Sequence, residues 1–378
     1  MSSRYKICYV TSMHDWNDDR IFERAAWGLA QKGHEVTLIA PAERDFEVDG
    51  ITVLSIRIRS RFQKHLKGPS DAFNRMKEVD ADVYHFFNPN MMWVMRKWAK
   101  KGRLVFFDIH ENYESRVDAL PLPSFIRSFL VRRYRSIENR LCSSFAGLTV
   151  VTESMKQKVS SANVPTLIVG NVPFLKRLEN VKLAEKKEDN PVIITSGTHS
   201  MARNCMSTVE ALPLIEKEIP AIEMKFVGKF QPPSLEEALK KRAKELGVSD
   251  KLTTEGMLPW LENFKRVSKA HVGCVFYDDN LNNRVTLPNR LYEYMYCGLA
   301  VLGENFPEVK KVIEDADSGR VVNSSDPRDI AEKAIELLKN SAEISRCMQN
   351  AEKAIVNNHN FEKALEDLES FYSRALQS

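Results

Sequence analysis

The sequence predicts an α/β protein made of two doubly wound parallel sheets in tandem, and three observations carry that expectation. Short apolar runs alternate with amphipathic helical stretches along nearly the whole chain, the rhythm of a parallel sheet covered by helices on both faces. The rhythm runs twice, interrupted between Asn171 and Asn190 by the charged stretch FLKRLENVKLAEKKEDN, which reads as an interdomain connection. The 378 residues also exceed what one hydrophobic core usually serves. The expected domains are residues 1–172 and 173–356, followed by a terminal helix over 357–378, with a central cleft where the strand ends of the two Rossmann-like halves face one another.

The first half opens with a strand over Lys6 to Val10, a helix over Arg20 to Gln31 stopped by Gly33, and a strand over Glu35 to Ala40. That βαβ unit requires a crossover and hence parallel pairing. Further strands are predicted over Ile51 to Ile58, Val83 to Phe87, Leu104 to Asp108, Leu148 to Val151 and Thr166 to Val169. Helices are predicted over Met91 to Lys100, Ser124 to Ser143 and Glu153 to Ser160. In the second half the strands are Val192 to Ser196, Met224 to Val227, Lys251 to Thr254, Val272 to Phe276, Leu299 to Leu302 and Val321 to Val322. Asp326 to Leu376 reads as nearly all helix.

Hydrophobic residues at 43% and charged residues at 28% describe a globular chain rather than a disordered one. A formal charge of +4 permits anionic partners without requiring them. Cys8, Cys142, Cys205, Cys274, Cys297 and Cys347 are scattered, without paired metal-ligand spacing, and read as reduced core residues of a cytoplasmic protein. The opening MSSRYKICYVTS enters a strand directly, so no signal peptide is expected.

Candidate chemistry concentrates where a doubly wound sheet places ligands. Between Pro288 and Val312, Pro288 and Asn289 suit a helix start, Leu291 and Met295 bury one side, and Gly298 stops the helix. Glu293 can accept hydrogen bonds from the vicinal hydroxyls of a ribose while Arg290 and the first amides face phosphate; its alternative is a solvated helix carboxylate. In the loop SGTHSMARNCMSTVEAL, Gly197, followed by Thr198, allows close backbone approach, and Arg203 and Asn204 stand at the mouth of the next helix. The first-half loop TSMHDWNDDRIFER lacks a GxGxxG fingerprint, which argues against a dinucleotide oxidoreductase. There Asp19 is a good N-cap and Arg20 either pairs with nearby acids or serves the cleft. In VFFDIHENYES the strand Leu104 to Phe107 delivers Asp108, His110 and Glu111 to the cleft edge, where a neutral histidine can hydrogen-bond a sugar.

The Pro288 segment resembles the PxKLxEYMxxGxPV signature of the retaining, family-four glycosyltransferases of the GT-B fold (glycosyl transferases group 1), with Arg290 in the usual lysine place. His14, Asp19, Arg20, Ile21 and Phe22 are similar to the HxxxDxRIFxxA entrance of one branch. The resemblance implies that Glu293 holds the donor ribose, that Arg203 clamps the donor diphosphate, and that His110 meets the transferred sugar, making His110, Arg203 and Glu293 the catalytic set. The GMLPW turn, with Met257 and Leu258, resembles the segment whose backbone meets the nucleobase. A second phosphate-binding base is missing after Arg203, and Arg290 is assigned that place. His14, Asp19, Arg20 and Glu111 are acceptor-side candidates. Many members carry an acid eight positions before Glu293; here that position is Val285, and Asp278 and Asp279 are close enough in sequence to substitute. The terminal helix, Phe361 to Ala375, is expected to cross back to the first domain.

The function implied is transfer of a sugar from a nucleotide-sugar donor, UDP-linked by expectation, to a carbohydrate or lipid-linked glycan in cell-surface polysaccharide or glycoconjugate synthesis. No metal cofactor is expected: Tyr277-Asp278-Asp279-Asn280 is an acidic loop rather than a DxD motif. The basic, aromatic stretches Arg57 to Lys77 and Ser124 to Leu141 permit peripheral contact with anionic lipid on the inner face of the plasma membrane, although the second is expected to pack its apolar side, with Phe125, Phe129 and Leu130, on its own sheet. No nucleic-acid-binding module accompanies the charge. The alternatives are a nucleotide-sugar 2-epimerase of the same form and a silent relative acting as a binding partner in polysaccharide assembly.

Overall fold

The computed structural model describes residues 4–56 and 60–377, which divide into two compact units, Met1–Phe174 with Phe361–Ser378, and Leu175–Asn360. Arg57 to Arg59, which open the first basic stretch and include the end of one predicted strand, lie outside the described residues, as do the side chains of Arg61, Phe62 and Leu66.

The first unit is built on a sheet of eight strands: β1 Lys6–Val10, β2 Glu35–Pro41, β3 Phe46–Val48, β4 Ile51–Ile56, β5 Val83–Phe86, β6 Leu104–Ile109, β7 Gly147–Val150 and β8 Thr166–Ile168. Their order is β3-β4-β2-β1-β5-β6-β7-β8. All neighbours pair parallel except β3, which turns back on β4 through Asp49 and Gly50, both at positive φ. β5 and β7 are buried along their whole length, as expected of strands covered on both faces. β3 escapes the sequence reading because Phe46–Val48 is too short to show a period.

The helix expected over Arg20 to Gln31 has two parts. Asp19–Ala26 is π-helical and Trp27–Gln31 is α-helical. The N-cap is Asp18, not Asp19: from an extended backbone its carboxylate accepts the amides of Arg20 and Ile21, so the helix begins one residue earlier than predicted. The wider turns bury both Arg20 and Arg24 on one short segment.

The second unit holds β9 Val192–His199, β10 Glu223–Phe230, β11 Leu252–Glu255, β12 Val272–Val275, β13 Ala300–Glu304 and β14 Gly319–Val322, all parallel, in the order β11-β10-β9-β12-β13-β14. In each sheet the order reverses beside its first strand, at β1/β5 and at β9/β12, the position where such sheets leave a crevice. Helix Asn289–Tyr296 packs Tyr294 under Gly273 of β12, where a Cβ would lie 2.3 Å from the ring, and Gly298 at φ +64 ends the turn after it.

The chain passes from the first unit to the second between Phe174 and Leu175, within the stretch read as a connection, and the remainder of that stretch is laid onto the second unit. Leu175–Leu178 forms a helical turn with Leu178 buried, the Ala184 amide bonds Ser268 Oγ, and Lys187 Nζ donates to the carbonyls of Ser268 and Cys297. Burial there brings the Lys187 ammonium down to about 8.

The terminal helix, Phe361–Gln377, completes the first unit's core with Phe361, Leu365, Leu368, Phe371 and Tyr372, all buried. Glycines admit it: a Cβ on Gly28 would meet Leu365 at 2.8 Å, and one on Gly147 would meet Phe371 at 2.6 Å. All six cysteines are buried and free. Phe371→Ala removes a ring packed edge-on against Phe106 at 5.3 Å and is expected to destabilise the first unit by ~3–5 kcal/mol. Urea denaturation followed by tryptophan fluorescence measures the change.

Candidate functional site

Each unit gathers one group of polar side chains at its crevice end. In the first unit the organising residue is Asp108, at the end of β6 and 2% exposed. Arg20 grips it with two parallel bonds, Nε to Oδ1 at 2.9 Å and Nη2 to Oδ2 at 2.7 Å. The remaining guanidinium donors reach Asn171 Oδ1 and the Val169 carbonyl, both at 2.9 Å. Thr149 Oγ1 also donates to Asp108 Oδ2 at 2.6 Å, and His110 Nδ1 lies 2.9 Å from Oδ1. Burial pushes the carboxyl up, but the Arg20 charge and the His110 and Arg20 hydrogen bonds more than offset it and hold Asp108 well below the ordinary carboxylate range. Arg20 is therefore a structural partner of Asp108, and Asp108 lies beneath the cavity floor rather than on its edge.

His110 is the half-buried outer end of this network. With Nδ1–H donated to Asp108, Nε2 is the nitrogen left for the cavity. Its ring meets His14 edge-on at 5.3 Å, and His14 Nδ1 is held by Asp18 at 3.0 Å. Behind Asp108 the bonds continue inward. Thr149 Oγ1 lies 3.2 Å from His85 Nε2, and His85 Nδ1 lies 2.5 Å from Tyr372 Oη on the terminal helix. Burial brings His85 down to about 4, so it is a neutral relay.

Around His14 and His110 lies a cavity of about 480 Å³, lined also by Ser60, Lys64, His65, Asn88, Asn90, Tyr113, Glu111 and Arg116. Of the acceptor-side candidates, His14 and Glu111 line it, Glu111 paired with Arg116 at 2.6 Å. Arg20 and Asp19 are absent from its lining. Sequence reading missed Asn88 and Asn90, although the run FFNPNM directly after a strand at the order reversal was a usable signal.

In the second unit two arginines converge on Gly197. At φ +94 this residue has no Cβ; one placed there would lie 3.2 Å from Arg290 Nη2 and 4.0 Å from Arg203 Nη1. Arg290, buried on the first turn of its helix, bonds Thr195 Oγ1 at 3.2 Å and the Thr198 carbonyl at 3.4 Å. Arg203 lies over the Tyr277 ring at 5.3 Å. Among the described residues no carboxylate stands within salt-bridge distance of either guanidinium. Burial, then the Arg290 charge, presses Arg203 below its ordinary value, yet an arginine stays protonated. The same two charges, after burial, keep His199 neutral by bringing it down to about 4.

The other donor-side candidates differ in availability. Thr198 ends the strand beside Gly197, and Asn204, in the left-handed region at φ 48, ties its side chain to Ser324 Oγ at 2.7 Å ahead of helix Cys205–Glu218. Asn289 and Glu293 are half-buried on one helix, with Glu293 one turn beyond Arg290 and near enough for its charge to act on that guanidinium. Met257 is exposed and Leu258 half-buried in the loop after β11. Leu291 does not fit a ligand-binding role: it is fully buried and its amide bonds the Pro288 carbonyl, so it belongs to the core. Asp279 is held in a two-bond pair by Arg284, and Asp278 is exposed with its amide bonded to Ala202 O at 2.9 Å. Val285 is half-buried.

Helix Ser124–Cys142 departs from expectation. Val131, Glu138, Leu141 and Cys142 face the interior, whereas Phe125 is 72% and Phe129 60% exposed, with Arg132 and Arg133 exposed beside them. Phe125 and Phe129 therefore do not pack on the sheet, while Ile126 and Leu130 are half-buried. No described helix is long and apolar enough to cross a membrane.

Asp108→Ala strands the buried Arg20 guanidinium and is expected to cost ~3–5 kcal/mol. Because the folded carboxyl is depressed, its contribution is complete above the ordinary carboxylate range and is lost as pH falls through the folded value. The penalty of Asp108→Asn should therefore shrink between pH 7 and about pH 3 in urea titrations, given an unfolded value of ~3.9.

Two family models match the chain, Glycosyltransferase Family 4 over residues 19–169 and Glycosyl transferases group 1 over residues 176–354. Among solved structures, the chain is similar to a sucrose-phosphate synthase from Thermosynechococcus elongatus at 13% identity and TM-score 0.77, covering 99% of this chain and 100% of that one. It is also similar to a glycosyltransferase from Rickettsia africae at 13% identity and TM-score 0.74, with 99% of each chain covered. A third similar structure is HepE from Anabaena in complex with UDP and glucose, at 10% identity and TM-score 0.70, covering 98% of this chain and 100% of that one. No curated protein matches the sequence significantly.

Proposed function

The chain belongs to the GT-B glycosyltransferases of the group 1 and family 4 type, and on that premise we propose that it transfers a sugar from UDP, with retention, to a carbohydrate or lipid-linked glycan. The observation that carries the reading is the convergence of Arg203 and Arg290 on Gly197 with, among the described residues, no carboxylate within salt-bridge distance of either guanidinium. Two guanidiniums beside a bare backbone are costly alone and favourable around a diphosphate. Solved structures of HepE contain UDP, UDP-glucose, or UDP with glucose, which supports the same nucleotide here.

In this reading the diphosphate lies between the guanidiniums, the first amides of helix Cys205–Glu218 add donors, and Glu293 accepts from the ribose hydroxyls. The bond from the sugar's anomeric carbon to the diphosphate breaks while the bond to the acceptor oxygen forms on the same face. The acceptor proton passes to the departing phosphate oxygen, and Arg203 and Arg290 carry the charge that accumulates there. His110 positions a sugar hydroxyl through Nε2. No metal is needed for this charge balance, because the guanidiniums take that role.

The setting proposed is cell-surface polysaccharide or glycoconjugate synthesis in the cytoplasm, with peripheral attachment to anionic membrane. Support comes from the exposed Phe125 and Phe129 beside Arg132 and Arg133, a combination suited to the headgroup boundary. Phe125→Asp with Phe129→Asp is expected to abolish sedimentation with anionic vesicles while leaving the unfolding midpoint unchanged. Equal sedimentation of that variant and the parent protein would remove the membrane from the reading.

UDP at 100 times its dissociation constant should add ~2.7 kcal/mol of stability in a thermal-shift titration. Arg203→Ala and Glu293→Ala should remove most of that gain and of sugar transfer, and His110→Ala should remove transfer while UDP still binds. A protein that ignores UDP and all other nucleoside diphosphates would refute the donor assignment. Conversion of the nucleotide sugar without an acceptor would instead indicate an epimerase.

A further inference from the structure

At the carboxyl end of the second unit's sheet lies a buried acid, Glu304, which ends β13 and is 6% exposed. Its carboxylate is met by N–H and O–H groups: the Ser324 hydroxyl, the Ser324 amide at 3.4 Å, and the amides of Tyr277 and Asn305. Burial pushes the carboxyl above its ordinary value, and these bonds offset part of the rise. Two carboxylate oxygens can accept four donors; a neutral side chain with one oxygen cannot serve them all.

The donors belong to the segments that hold Arg203. The ring of Tyr277 lies against its guanidinium at 5.3 Å, and the next residue, Asp278, gives its amide to the Ala202 carbonyl at 2.9 Å. From the other side, Ser324 Oγ accepts from Asn204 Nδ2 at 2.7 Å. A serine hydroxyl has one proton, and this one goes to Glu304, so the hydroxyl is fixed in direction and can only accept from Asn204. Asn204 has φ 48, a left-handed backbone that such a tether helps to keep, and it leads directly into helix Cys205–Glu218. Ala202, Arg203 and Asn204 are thus each tied to a segment that Glu304 gathers.

We infer that Glu304 is a positioning residue for the diphosphate clamp: it fixes the Tyr277 loop and, through Ser324, Asn204, and thereby the place where Arg203 converges with Arg290 on Gly197. This rests on the donor reading of the two arginines and deepens it. The effect is confined to the phosphates, because Glu293, proposed for the ribose, stands on helix Asn289–Tyr296 and takes no part in this network.

The test is competitive calorimetry on the whole chain with UDP and uridine, which share base and ribose and differ in the phosphates. Glu304→Gln keeps the size of the side chain and removes one acceptor oxygen, whereas Ser324→Ala cuts only the link to Asn204. In each variant UDP should bind about fivefold or more weakly while uridine binds as before, so the ratio of the two affinities falls. A merely structural role would weaken both ligands alike. That result in either folded variant, or UDP affinity kept at the parent level, would overturn the proposal. Should Glu304→Gln not fold, Ser324→Ala decides by the same ratio. A parent protein that binds UDP no more tightly than uridine would be a different failure, that of the diphosphate reading.

Discussion

The buried pair of Arg20 and Asp108 sets the geometry of the first unit's crevice. One carboxylate takes bonds from a residue after β1, from the end of β6 and from β7, and its arginine reaches on to the end of β8. Four segments that have no sequence proximity are thereby fixed against one another at the ends of their strands. Two charges removed from water this completely are tolerable because nearly every donor and lone pair has a partner. The functional product of that satisfaction is the orientation of a single ring, His110, whose Nδ1 is committed inward.

The second unit uses charge the opposite way. There two cations are brought together with, among the described residues, no carboxylate in salt-bridge distance, and the groups that contact them are neutral: a threonine hydroxyl, a backbone carbonyl and the face of a tyrosine. One unit thus spends its electrostatics on internal order, the other leaves an attraction for something that is not protein. Both arrangements sit at the reversal of strand order, where a parallel sheet's diverging connections expose the ends of its first strand.

Sheet composition was legible in the sequence because buried parallel strands are plain apolar runs, as in Val83–Phe86 and Val272–Val275. Less legible were features that depend on a residue's surroundings. Arg20 is an arginine in a loop-to-helix segment whether it faces solvent or Asp108, and only tertiary structure decides. The capping role fell to Asp18 rather than its neighbour because an Asp-Asp pair offers two equivalent starts and the π-helical opening selects the earlier. Phe125 and Phe129 carry a helical period that reads as core, yet they stand outside because the sheet is already covered deeper along that helix. On the donor side, Gly197, Arg203 and Arg290 came from strand ends and helix mouths and do lie together, whereas Leu291 was included through its motif neighbours and is a packing residue. That Lys64 and His65 join His14 and His110 at one cavity required three dimensions, since the segments bearing them are far apart along the chain.

The link from Tyr372 through His85 and Thr149 to Asp108 has a bearing on biogenesis. Residues 361–377 leave the ribosome after the entire second unit, so the first unit must wait, with Phe106 and Gly147 uncovered by that helix, while 186 intervening residues are translated. Translation order therefore leaves the first unit without its last core helix until every residue of the second has been made.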